Sequence, residues 1–308
     1  MDKFGAAPSG LGSVPFEWRR PRSLPRYASR SSPDFSSEYT DKDSLCEIRF
    51  QVDKPIDGPV YQYYRLSNFY QNQRLYVKSV DWGQLKGEAK PASQLGDCEP
   101  LVGPSDNPDL VYYPCGLIAN SVFNDTLGGL LQLDPSSQSV QAAYQFAPKD
   151  IAWASDQARY GRSQYSLAQI RPPPFWVKNR RLVNADGTYR RVPNFENDER
   201  FQNWMKVAGL PTFRKTYGKL AQNIPPGTYT ILISSTYEVE SYSAKKAVVI
   251  SNTSWMGGKN SFLGWAYIIT GSVFLLLALV FLARHLMAPR RLGDTSYLSW
   301  NRPDQGSG

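Results

Sequence analysis

Apolar and polar positions begin to alternate at Cys46. In "CEIRFQV", Cys46, Ile48 and Phe50 take every second place, the period of a strand with one buried face. "GPVYQYYRL" (Gly58–Leu66) follows with aromatic and β-branched residues that favour a pleated surface. Thr228–Glu240 and Lys246–Ser251 read as two further strands. The period changes in "NDERFQNWMKVAGL". There Phe201, Trp204, Met205 and Ala208 fall at helical spacing, Asn197 stands where it can cap the start, and Gly209 and Pro211 give the stop. "RPPPFW" (Arg171–Trp176) lacks the N–H groups of a central strand or helix interior and reads as a connecting loop or an edge. Residues 1–38 are rich in Ser, Pro and Arg without a period and read as a disordered basic tail. The pattern predicts a mixed, mainly β domain with helical insertions over residues 39–258.

One stretch departs from all this. Phe262 to Ala283 carries no charge, and as a helix it measures about 33 Å, enough to cross a bilayer core. A buried helix of a soluble protein is the other reading, but such helices rarely run so long without a charge. Trp265 and Tyr267 lie near one end, where aromatic rings favour the membrane interface. Arg284, His285, Arg290 and Arg291 follow the run, and the nearest basic residue before it is Lys259. That bias places a tail of residues 286–308 in the cytosol, a membrane helix at 259–285, and the domain before it in the lumen or outside the cell. Gly264, Gly271 and Ala278 recur every seven residues, either as a face for packing on a neighbouring helix or as small residues common in such helices. Lys259, after the paired Gly257 and Gly258, either meets lipid headgroups or belongs to a simple juxtamembrane turn.

The formal net charge of +8 raises the question of nucleic acid. The arginines, however, gather near the two ends (Arg19, Arg20, Arg22, Arg26 and Arg30, then Arg284, Arg290 and Arg291). Placement at the flanks suits a membrane protein, so no nucleic-acid partner is expected. His285 is the single histidine, which leaves no Ser-His-Asp constellation and no histidine metal site. Neither phosphate-cradling glycine motif occurs. No catalytic residue, metal or cofactor is expected. Glu196, Asp198 and Glu199 read as a solvated helix start that the helix dipole favours, with a cation site as the alternative.

Three cysteines are an odd number for a lumenal domain. A bridge between Cys98 and Cys115 would constrain the unfolded chain by about 3 kcal/mol. The alternative is two free thiols, which an oxidising compartment disfavours. Cys46 is then left with a lost partner, an intermolecular bond or a free thiol. Asn124-Asp125-Thr126 and Asn252-Thr253-Ser254 are N-glycosylation sequons, which lumenal placement makes meaningful. Asn124 is the better placed, because Asn252 stands close to the helix. Tyr63, Tyr64, Phe69, Tyr70 and Tyr76 alternate with Asn68, Gln71, Asn72, Gln73 and Arg74. Such a mixture builds either a protein contact or a hydrogen-bonded β core with tyrosine tips at its rim. Phe69, Tyr70, Asn72, Arg74, Lys259, Gly264 and Gly271 are taken as the candidate partner contacts.

"PCGLIANSVFNDT" (Pro114–Thr126) resembles a hallmark of the cell division control protein 50 family. So do "YYRLSNFYQNQRLYVKS" (Tyr63–Ser79), "IAW" (Ile151–Trp153), "NWMKVAGLPTFRKTYGKL" (Asn203–Leu220) and "NTSWMGGKNSFLGWAYIITG" (Asn252–Gly271). The resemblance implies a non-catalytic β subunit of type IV P-type ATPases, the lipid flippases, forming a heterodimer with the ATPase α subunit among membrane lipids. It implies a glycosylated, disulfide-linked ectodomain built around an antiparallel β-sandwich. It also implies a role in exit of the complex from the endoplasmic reticulum and in the cycle that moves aminophospholipids. The complex would reside in the endoplasmic reticulum, Golgi, endosome or plasma membrane. By position, Cys98 and Cys115 match the family's second disulfide, Asn124 a commonly used sequon, and Cys46 one half of the first disulfide. Family members carry a first membrane helix between an Arg-Arg-Pro tail, here Arg19-Arg20-Pro21, and the ectodomain. This chain looks like a member lacking that helix and a cysteine ahead of Cys46. The competing readings are a tethered adhesion or receptor ectodomain, a lumenal carbohydrate-active enzyme using paired carboxylates, and a non-functional truncated isoform.

Overall fold

A computed structural model describes residues 17–19, 45–178, 182–184, 186–252 and 261–288, with Gly293 and Thr295. The elements in chain order are β1 (Glu17–Arg19), β2 (Leu45–Val52), β3 (Val60–Ser67), α1 (Arg74–Lys78), α2 (Trp82–Lys86), β4 (Val111–Tyr112), α3 (Leu117–Asn120), β5 (Thr126–Leu133) and β6 (Val140–Tyr144). They continue as α4 (Ala154–Gln157), β7 (Ile170–Arg171), α5 (Pro174–Lys178), α6 (Glu199–Met205), β8 (Phe213–Leu220), β9 (Gly227–Ser234), β10 (Lys245–Asn252) and α7 (Ser261–Met287). The chain divides into two units, Met1–Thr253 and Ser254–Gly308.

The first unit is mainly β with short helices. One antiparallel sheet has the order β1-β2-β9-β5-β6 and another has β10-β3-β8. A parallel pair, β4 with β7, stands apart from both. The two antiparallel sheets share one core. Ile48, Leu130, Ile231 and Ile233 of the first meet Tyr64, Leu66, Tyr217 and Leu220 of the second in a single buried cluster. Polar bonds register the layers: Gln62 Nε2 donates to Gly128 O at 3.0 Å, and Leu127 N–H donates to the Tyr217 hydroxyl at 3.2 Å. The Tyr64 and Phe123 rings stack with centroids 3.9 Å apart.

In "CEIRFQV", Cys46 and Ile48 lie inside as the alternation predicts, but Glu47 between them is buried too and Phe50 is half-buried, so the first half of β2 is covered on both faces. The strand read from Thr228 to Glu240 ends at Ser234. Beyond it, the Asp125 carboxylate takes the N–H groups of Thr236 and Tyr237 and draws the chain off the ladder. The helix after Asn197 is capped by Asp198, whose carboxylate accepts from Phe201 N–H at 3.0 Å. It stops at Met205 rather than running through Ala208, because Ala208 N–H is claimed by Gln71 Oε1 at 2.9 Å. In the proline-rich segment, Pro174 opens α5, the first helical position being the one where a missing N–H costs nothing. Trp176 of that helix is 1% exposed.

The second unit holds α7. At 27 residues it is about 40 Å long, and its side chains, among them Phe274, Leu275, Val280 and Phe281, are exposed along the described length. An apolar surface with no protein cover suits lipid as its solvent. Arg284 and His285 lie in its last turn, where the dipole favours basic groups.

Candidate functional site

The aromatic segment after β3 splits into an inward and an outward set. Asn68 adopts φ 58° and donates through Nδ2 to Tyr242 O at 2.8 Å, which turns the chain. Phe69 is half-buried. Its ring packs edge-on against Tyr76, Trp204, Phe213 and Tyr242, with centroids 5.7 to 6.1 Å away. Gln71 is fully buried and grips Ala208. The Tyr76 hydroxyl bonds Ser121 Oγ at 2.8 Å, and burial pushes its pKa up to about 12. Gln73 caps α1 by accepting from Tyr76 N–H at 2.8 Å. The outward set is Tyr70, 56% exposed, with Asn72, Arg74 and Leu75. Asn72 is still held, since its Nδ2 donates to Gly209 O at 3.1 Å. Of the candidate contacts, the structure therefore exposes Tyr70 and Asn72 on the loop after β3 and Arg74 at the start of α1, and uses Phe69 as the anchor of that segment. Gly264 and Gly271 lie on α7 with open space around them. Lys259 lies outside the described residues.

The "PCG" block is a junction. Cys98 and Cys115 are joined by a disulfide with Cα atoms 5.6 Å apart. Ser79 Oγ donates to Cys98 O at 3.1 Å and accepts from Leu117 N–H at 2.8 Å. Gln84 Oε1 accepts from Cys115 N–H at 2.9 Å. Gly116 has φ 91°, and a Cβ there would sit 2.1 Å from Ser79 O, so no other residue suits the position. Just beyond, the indoles of Trp204 and Trp176 donate to the successive carbonyls of Ile118 and Ala119 at 2.7 and 2.8 Å. Cys46 is 6% exposed within β2, in register with Ile233.

The first sequon sits at the entrance of β5. Asn124 is 8% exposed, and neither atom of its side-chain amide has a hydrogen-bond partner among the described residues. The side chain of its neighbour Asp125 has no solvent access. It meets Lys246 Nζ at 2.8 Å, and its other oxygen accepts from Thr236 and Tyr237 N–H at 2.7 and 2.6 Å. Burial raises the Asp125 carboxyl above its ordinary range, and Lys246 and the two amides act against that rise. Asn252, of the second sequon, is exposed at the end of β10.

The "IAW" block is fixed by one carboxylate that the sequence reads as a solvated helix start, with a cation site as the alternative. Glu199, the first residue of α6, accepts from Asp150, Ile151 and Ala152 N–H at 3.1, 2.7 and 2.9 Å. Trp153 is thereby held 69% exposed, with Lys206 Nζ 3.7 Å above its ring. A favourable N-terminal charge and three consecutive amides explain the acid at this position. Only the fold brings the loop to it.

A family model described as "LEM3 (ligand-effect modulator 3) family / CDC50 family" matches residues 22–291. The chain is 38% identical over 277 residues to the "Phospholipid-transporting ATPase accessory subunit CDC50" of Chaetomium thermophilum, covering 88% of this chain and 68% of that protein. It is 40% identical over 268 residues to "ALA-interacting subunit 3" of Arabidopsis thaliana, covering 86% and 71%. It is 39% identical over 254 residues to "Cell cycle control protein 50A" of Bos taurus, covering 77% and 67%.

Proposed function

The chain belongs to the LEM3/CDC50 family, and from that premise we propose that it serves as the accessory subunit of a phospholipid-transporting P-type ATPase. The observation that carries this reading is the match of nearly the whole folded region to proteins named as such subunits. The chain contributes binding, not chemistry. ATP hydrolysis and the lipid path belong to the ATPase α subunit, and this chain supports exit of the pair from the endoplasmic reticulum and the transport of aminophospholipids. In this proposal Tyr70, Asn72 and Arg74 touch the α subunit. Tyrosine and arginine are the residue types most often dominant in such contacts, and here they are exposed on the loop after β3 and the first turn of α1, a segment anchored inward by Phe69 and Gln71. Gly264 and Gly271 offer close approach for a membrane helix of the partner.

The β-rich unit lies on the lumenal or exoplasmic side and the tail after α7 in the cytosol, as the arginines beyond Ala283 favour. Asn124 and Asn252 carry N-linked glycans.

Co-expression of the full chain with type IV P-type ATPases, followed by affinity purification, tests the proposal. The expected result is stable co-purification of an ATPase, lost on Tyr70→Ala with Arg74→Glu, and a glycosidase-sensitive band that Asn124→Gln shortens. A well-folded chain that retains no ATPase of this class would sink the reading.

A further inference from the structure

The three strands of the smaller sheet carry six basic residues and no acidic one. Two of the six point inward and are satisfied there. Lys246 pairs with Asp125, and the Lys215 ammonium donates to the carbonyls of Trp204 and Lys206. The other four lie on the outward face. β3 alternates buried and half-buried positions, which puts Tyr61, Tyr63, Arg65 and Ser67 on its outer side. The register sets Arg214 opposite Arg65, Thr216 opposite Tyr63, Lys219 opposite Tyr61 and Lys245 opposite Ser67. Directly paired residues share a face with Cβ atoms about 5 Å apart, so the two arginines stand side by side, and like charges so placed cost stability. Burial, and then the charge of Arg214, lower the Arg65 pKa.

Arg65, Arg214, Lys219 and Lys245 make no ion pair among the described residues. In the larger sheet, by contrast, Arg49 is matched by Glu47 at 2.9 Å on the same strand. Near β8, the Asp156 carboxylate is already held by Lys206 at 3.2 Å, and Glu199 by the amides of residues 150–152. The face is cationic at both ends. Lys245 and the arginines stand toward one end and Lys219 at the other, about 20 Å along the strands. Tyr63 lies between, its ring 6.1 Å from that of Tyr61. A cavity of about 270 Å³ runs beside β8, lined by Trp153, Val207, Ala208, Arg214 and Thr216 among others. Cations spread over such a length, with aromatic rings and an apolar recess among them, fit a protein surface better than a single ion or headgroup.

We propose that the outward face of β10-β3-β8 docks an acidic segment of a protein partner, its carboxylates meeting the Arg65–Arg214 couple with Lys219 and Lys245, and an apolar side chain filling the cavity beside Arg214. A guanidinium fork matches a carboxylate in two parallel hydrogen bonds. A carboxylate set between the two arginines also removes the repulsion that the free chain carries, so the cost built into the sheet is returned on binding. The identity of the partner rests on the accessory-subunit reading, which makes the segment part of the ATPase. At Ser67 the face runs directly into the loop that bears Tyr70 and Asn72, so the two patches are contiguous along the chain.

The test is affinity purification of the full chain co-expressed with a type IV P-type ATPase, followed by carbodiimide coupling, which joins a lysine amine to a carboxylate in contact with it. Mass spectrometry should find Lys219 or Lys245 joined to aspartate or glutamate of the ATPase. Arg65→Glu should lower the ATPase retained about tenfold, the size of one interface arginine, and remove those links. Its melting temperature should hold at or above wild type, because the new carboxylate faces Arg214 across the strands. Binding lost while stability holds is the signature of a contact surface. Lys86→Glu, which reverses an exposed cation on α2, should change neither. Links from Lys219 and Lys245 to phosphatidylserine, or to a second copy of the chain, in place of the ATPase overturn the proposal. So does ATPase retention that Arg65→Glu leaves unchanged, and the accessory-subunit reading survives both results. A wild-type chain that retains no ATPase brings down that reading and this inference together.

Discussion

Lys246 and Asp125 form an ion pair without solvent access, Nζ to Oδ2 at 2.8 Å with both side chains 0% exposed. Lys246 Nζ also donates to Tyr237 O at 2.8 Å, so one ammonium ties β10, the segment after β9 and the entrance of β5. Removing one partner leaves a buried charge with no counterion. Lys246→Met should cost about 3–5 kcal/mol in chemical unfolding of the full chain in detergent. Asp125→Asn, which keeps the sequon and an acceptor oxygen, should cost less than Asp125→Ala. An unfolding midpoint for Lys246→Met equal to wild type would show that the pair holds nothing together.

Stability should depend on pH through Lys215. Its pKa is about 7 in the folded protein against an ordinary 10.5 in the unfolded chain. Between those values the unfolded chain holds a proton that the folded protein has released. Stability therefore rises with pH over that interval, by up to about 1.4 kcal/mol per pH unit. Thermal unfolding from pH 6.5 to 8.5 should show this rise in the wild type and a flatter profile in Lys215→Met. Parallel profiles would contradict the assignment.

The Cys98–Cys115 disulfide closes the loop that feeds the "PCG" junction. Its removal in Cys98→Ser with Cys115→Ser should lower unfolding free energy by about 2–5 kcal/mol. Reductant should destabilise the wild type by a comparable amount and leave the double variant unmoved.

Gly116→Ala should be as damaging as loss of the disulfide. It forces a side chain into a left-handed conformation and against the Ser79 carbonyl, and the backbone strain alone costs about 1–3 kcal/mol. Gly96, with nothing within 4 Å of an added Cβ, is the matched control. Equal yield and melting temperature for the two variants would refute the argument.

How far the sequence discloses this molecule depends on which physical signal each element carries. β2, β3, β10 and α7 are legible because burial on one face, or on every face, writes a period into the residues. β5 is not. "TLGGLLQL" carries two glycines that read as a break. They are there because a Cβ at Gly128 or Gly129 would lie 2.8 or 2.6 Å from the carbonyls of Leu232 and Tyr144 on the neighbouring strands. β8 hides for a different reason: in "FRKTYGKL" the inward Lys215 breaks the apolar alternation. At the site, the contact between Glu199 and the "IAW" loop links positions nearly fifty residues apart and leaves no local trace. The inward turn of Phe69 is equally silent, since an aromatic residue in a polar loop reads the same whether it anchors the loop or projects from it.

The order of strands across the smaller sheet sets a timetable for synthesis. β3 lies between β8 and β10, so both of its hydrogen-bonding edges wait for strands made far later. At about 5–20 residues per second, that wait is on the order of ten seconds for β8 and longer for β10. From the emergence of Asp125 until that of Lys246, the carboxylate must stay hydrated and its region open. The β-rich unit closes only when the ribosome has finished β10, its last strand. A chain halted short of β10 thus presents an open sheet edge and an unmatched charge, marks by which quality control can tell an unfinished subunit from a finished one.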